Sequence, residues 1–106
     1  MRTVGENKAI ADEKKSAWKA LKKAMEKNGI DVYRMTLQAT KATAVVTVGS
    51  YPWLEEYGNI EEQKATASRI LNLAEFAELG CEWHENIEMD NYYGGVTSSV
   101  RIRLVF

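Results

Sequence analysis

Near the C-terminus the chain alternates apolar and polar residues at every second position, twice. Cys81, Trp83, Glu85, Ile87 and Met89 interleave with Glu82, His84, Asn86, Glu88 and Asp90. After Asn91-Tyr92-Tyr93-Gly94-Gly95, a second run sets Val96, Ser98, Val100, Ile102, Leu104 and Phe106 against Thr97, Ser99, Arg101, Arg103 and Val105. Two runs of period two joined by a short loop with glycines predict an antiparallel hairpin over 80–106 with one buried face. The other face sets acids on the first strand against arginines on the second, a favourable cross-strand arrangement.

Upstream the period changes to that of a helix. Ile10, Ala17, Trp18, Leu21, Ala24 and Met25 form one stripe, which predicts a helix from Asn7 or Asp12 to Asn28 behind a frayed tail over residues 1–8. Asn28-Gly29 suits a left-handed cap with Ile30 folding back on Met25. Lys14 is misplaced, because it falls within the apolar stripe and so either snorkels or has a partner. Asp31 to Gln38 and Lys41 to Gly49 read as strands, enriched in Thr and Val, although the turn near Ala39-Thr40 lacks an Asn-Gly signal. Ser50 to Gly58 is irregular and carries Pro52. Asn59 followed by Glu62 resembles a capping box, opening a helix whose stripe is Ile60, Ala67, Ile70, Leu71, Ala74 and Ala77 and which Gly80 ends. Phe76 and Leu79 lie off that stripe, so the last turn bends or meets another surface.

The order α-β-β-α-β-β predicts one α+β domain over residues 1–106. It is a two-layer sandwich with two helices on one face of a four-stranded antiparallel sheet. A second helix as long as the sheet would carry the chain from the end of the second strand to the start of the third. The loop bearing Tyr51, Trp53, Glu55, Glu56 and Tyr57 would then share one end of the domain with the hairpin tip, Tyr92 and Tyr93. Those residues form either an aromatic, acidic recognition surface or a plug for the open end of the core. The last strand, ending at Phe106, would offer an exposed edge.

Composition narrows the classes. With 106 residues, 45% hydrophobic and 27% charged, the chain supports one core without metals or disulfides. A single cysteine rules out an internal disulfide and suits a reducing compartment. The N-terminus lacks the apolar core of a signal peptide, and no apolar run approaches the roughly 20 residues needed to span a bilayer. A cytoplasmic protein without a membrane partner is expected. The net charge of −1 hides a dipole: residues 1–41 carry +5 and residues 42–106 carry −6. Either the two halves attract each other or they form distinct interaction surfaces.

No catalytic constellation emerges. His84, the only histidine, should lie on the polar strand face and Cys81 on the opposite one, so they form no nucleophile–base pair. A zinc site would need two carboxylates of unspecified position, and no phosphate-cradling loop is present. No metal or cofactor is expected. Glu85 is the anomaly, since alternation puts a carboxylate on the buried face between Trp83 and Ile87. Either a bulge turns it outward, or it pairs with Lys14, or it is a functional acid.

These readings point to a small non-enzymatic binding or accessory protein. It would dock a protein partner, with inhibition as one form, through Tyr51, Trp53, Glu55, Glu56, Tyr57, Tyr92 and Tyr93. Two alternatives stand beside it. One is nucleic-acid binding through Lys15, Lys19, Lys22 and Lys23 on the first helix, against an unfavourable overall charge. The other is a homo-oligomeric assembly subunit joined at a strand edge.

Overall fold

The computed structural model of the chain describes the backbone of residues 1–49, 60–92 and 95–106, and the side chains of these residues apart from 89–92 and 95–98. Among them run α1 (Val4–Lys27), β1 (Arg34–Gln38), β2 (Thr43–Thr47), α2 (Ile60–Leu71), α3 (Ala74–Ala77), β3 (Glu82–Tyr92) and β4 (Gly95–Val105). The strands form an antiparallel four-stranded sheet in the order β1-β2-β4-β3. The expected α+β class and helix-and-hairpin order hold, with two corrections to the helices.

The first correction is at the N-terminus. The Thr3 hydroxyl accepts from the Glu6 backbone N–H at 3.1 Å, and the Glu6 carboxylate accepts from the Thr3 N–H at 3.3 Å. This reciprocal capping box starts α1 at Val4, so residues 4–8 are helical and not a frayed tail. The other end of α1 is as expected. Gly29 sits at φ 66°, and the Ile30 N–H reaches back to the Met25 carbonyl at 2.9 Å, closing a Schellman turn.

The second correction is a break in the single helix expected up to Gly80. α2 stops at Leu71, Leu73 is extended at φ −71° and ψ 138°, and α3 is a separate short turn. The phase change brings Phe76 and Leu79 inward, where both are buried. Their position off the apolar stripe reports this break. Asn59, the expected cap of α2, lies outside the described residues.

The helices cover one face of the sheet. Rows running across it on that face read Leu37-Ala44-Leu104-Trp83 and Met35-Val46-Ile102-Glu85, with Val100 opposite Ile87 in the next row. Trp18, Leu21 and Met25 of α1, Ala67 and Ile70 of α2, and Phe76 and Leu79 pack with Ala44, Val46, Val48, Val100, Ile102 and Leu104 into one core. Burying a side chain of this size contributes about 1.5–3 kcal/mol, so β4 and β2 anchor the domain.

The strands of the first hairpin are shorter than expected, five residues each. Their turn works without Asn-Gly because Ala42 itself takes the left-handed conformation, at φ 52°, and its carbonyl accepts from the Phe106 N–H at 3.0 Å. The far end of β2 peels away at Val48. The Val48 N–H donates to the Val100 carbonyl at 2.9 Å, but the Val48 carbonyl accepts instead from Tyr33 at 3.2 Å. The Val100 N–H is thereby left without its ladder rung, and the buried Gln63 side chain of α2 supplies one, its Oε1 accepting at 3.1 Å. Gly49 makes room for that amide: a Cβ there would lie 2.5 Å from the Gln63 side-chain carbon.

Candidate docking surface

The β3–β4 pairing runs without interruption from Glu82 opposite Val105 to Tyr92 opposite Gly95. There is no bulge, which removes the first account of Glu85. The structure answers the anomaly differently. On the helix-facing side, Leu104, Ile102 and Val100 of β4 are sealed at 0–1% exposure, while their β3 neighbours Trp83 and Ile87 are 46% and 43% exposed. Glu85, between them, is exposed too. α2 rests on β4, and α3 is a single turn whose Phe76 ring meets Trp83 edge-on at 5.8 Å. The nominally buried face of β3 therefore extends beyond the helical layer. Trp83 and Ile87, expected in the core, are surface residues.

The second account of Glu85 fails as well. The Lys14 ammonium donates to the Leu79 carbonyl, just past the end of α3, and Glu85 has no ion-pair partner among the described residues. A cation closing off helix-end carbonyls explains a lysine within the apolar stripe of α1.

β3 is an outer strand of the sheet, and among the described residues no strand pairs with its free side. The expected edge at Phe106 is corrected accordingly: β4 lies between β2 and β3. At the start of β3, Phe76, Ala77, Gly80, Cys81, Glu82 and Trp83 line an open concavity of about 320 Å³. Burial pushes the Cys81 thiol up, and the nearby Lys14 ammonium offsets this in part. A thiol shifted upward is a poor nucleophile at neutral pH. His84 is exposed on the other sheet face, opposite Arg103.

On that second face Glu88 receives Arg101 Nη1 at 2.9 Å and is also bonded by Arg103 Nη2. The Arg103 hydrogen bond chiefly holds the Glu88 carboxyl below its ordinary range, helped by the Asn86 side chain and the charges of both arginines against slight burial. A carboxyl depressed on folding stabilises the fold above its unfolded value, and that contribution disappears as pH falls through the folded value. Glu88→Gln should therefore lose less stability than the wild type between about pH 7 and about pH 3, by up to roughly 1 kcal/mol, in urea unfolding midpoints. Equal losses would show that the arginines leave this carboxylate energetically unaffected.

The remaining site residues divide in two. Tyr51, Trp53, Glu55, Glu56, Tyr57 and Tyr93 lie outside the described residues; Tyr92 lies in β3 by its backbone, with its side chain outside them. Lys15, Lys19, Lys22 and Lys23 are all exposed on α1, with Lys15 bound to Asp12 at 2.9 Å. Among the described residues no cluster of three His, Cys, Asp or Glu is placed to hold a metal, and no helix is long and apolar enough to cross a membrane. The uncovered Trp83 and Ile87 were not legible as site residues, because their alternation is that of a core strand. Searches of protein-family models, curated proteins and solved structures found no match to this chain.

Proposed function

We propose that this protein is a small non-enzymatic docking module that binds a protein partner along the outer edge of β3. The aromatic and acidic residues of the 51–57 segment and Tyr92-Tyr93, which the sequence pattern points to, are assigned to the same role within this proposal. What supports the reading is the contrast across one pair of strands. Ile87 and Trp83 stay 43% and 46% exposed, while Val100 and Leu104 directly opposite are sealed at 0–1%. Large apolar side chains left open on an unpaired edge are a standing liability for a free protein, and a partner that covers them removes it. Glu85, between Trp83 and Ile87, is exposed and has no ion-pair partner among the described residues, so the edge favours a partner that brings a basic group. A cytoplasmic setting suits the single cysteine.

Affinity capture from the native host tests the reading. The immobilised chain should retain a partner that a Trp83→Thr, Ile87→Thr double variant loses by about tenfold or more, with unchanged far-ultraviolet circular dichroism. Lys19→Gln, Lys22→Gln and Lys23→Gln together should leave capture intact. Capture insensitive to the edge substitutions but abolished by the lysine set would replace this reading with nucleic-acid binding through α1.

A further inference from the structure

We propose that the free edge of β3 accepts an extended segment of the pattern apolar–any–basic–any–apolar as a fifth strand of the sheet, an inference that rests on the docking role above. Which backbone groups face the free edge follows from the pairing. β4 uses its even-numbered residues toward β2, as the Val48-to-Val100 bond shows, and so its odd-numbered residues bond β3. Their partners Glu82, His84, Asn86 and Glu88 spend their backbone groups inside the sheet. In an antiparallel ladder the residues between them turn theirs the other way. The N–H and C=O groups of Trp83, Glu85 and Ile87 therefore point out of the edge.

These are also the residues whose side chains are uncovered on the helix-facing side. An added strand would hydrogen-bond to Trp83, Glu85 and Ile87, about 4.8 Å away, with three alternate side chains over the same three positions. Apolar residues would match Trp83 and Ile87, and a basic one Glu85. The apolar residue nearest Cys81 would find the 320 Å³ concavity beside Phe76. The pattern is symmetric and reads the same in either strand direction.

Charge selects the occupant. A second copy pairing through its own β3, with Trp83 opposite Ile87 of the other chain, would set the unpaired Glu85 carboxylates directly against each other. Like charges directly opposite are destabilising in a sheet. An inward-pointing charge on an edge strand is also a recognised device against self-pairing. Glu85 thus works in two directions, repelling a copy of its own strand and attracting a strand with lysine or arginine at the centre.

The test uses two short threonine-rich peptides, each with two isoleucines at alternate positions around a central residue, lysine in one and glutamate in the other. Their binding to the full chain is followed by amide exchange and chemical-shift titration. The lysine peptide should bind about tenfold tighter than its twin and slow exchange at the Trp83, Glu85 and Ile87 amides. Glu85→Lys should reverse the preference, and Glu85→Val should produce concentration-dependent self-association in light scattering. Equal affinity for the two peptides, or protection appearing away from β3, would overturn the proposal. Failure of both peptides to bind, with partner capture still dependent on Trp83 and Ile87, would overturn strand addition and leave the docking surface standing. Capture indifferent to those two residues would remove the docking reading itself.

Discussion

Ile102→Ala is expected to cost about 2–5 kcal/mol of folding stability, and Ile87→Ala no more than about 1 kcal/mol, in matched urea titrations. The two isoleucines sit on adjacent strands and on the same face of the sheet. By sequence pattern they are equivalent. Ile102 is fully buried, with Glu85 beside it on one side and Val46 on the other under the helical layer. Truncating it removes the transfer free energy of the lost methyl and methylene groups and opens a cavity that packed neighbours cannot fill. Ile87 is nearly half exposed already, so its truncation opens no enclosed cavity. If Ile87→Ala cost as much as Ile102→Ala, β3 would be covered and the docking surface would not exist. The pair is thus a stability measurement of a functional claim.

Gln63→Leu should cost about 1–3 kcal/mol through a different mechanism. The substitution nearly conserves volume, so little of the loss comes from packing. It removes the Oε1 that accepts from the Val100 N–H, which sits in a sealed part of β4 where water cannot replace it. An orphaned buried donor loses its hydration without compensation. The expected signatures are a melting temperature lower by several degrees and accelerated exchange at the Val100 amide in particular. Gly49→Ala should reach the same end from the other side, because its new Cβ would displace the Gln63 side chain. A Gln63→Leu protein with wild-type stability and an equally protected Val100 amide would show that the strand end closes by another route.

The parts of the fold legible in sequence are those set by local chemistry. Gly29 and Ile30 announced the end of α1, and the alternation after Gly80 announced the β3–β4 hairpin with its inward and outward residues in phase. The cap at Thr3-Val4-Gly5-Glu6 was legible too, since Thr followed three residues later by Glu is the capping-box spacing. Residues 4–9 carry no strong apolar stripe to reinforce it, so the spacing alone does not separate a helix start from a tail. Gln63 was not legible. Its role depends on Val48 giving its carbonyl to Tyr33, an event about fifteen residues earlier in the chain.

Sequence by itself determined the class, the helix-and-hairpin order apart from the α2–α3 break, and the face that the described strand residues occupy, because periods of two and 3.6 are properties of the backbone. It also marked Lys14 and Glu85 as charges out of place. Only the tertiary structure decided what those charges do. Lys14 closes the end of α3 at the Leu79 carbonyl, and Glu85 stands in the open on an unbulged strand. The physical reason is that alternation specifies a side of the sheet and says nothing of what covers that side. Coverage depends on strand order and on where α2 stops, and both are settled by packing between segments distant in sequence. That packing turned Trp83 and Ile87 from expected core residues into the surface on which the proposed function rests.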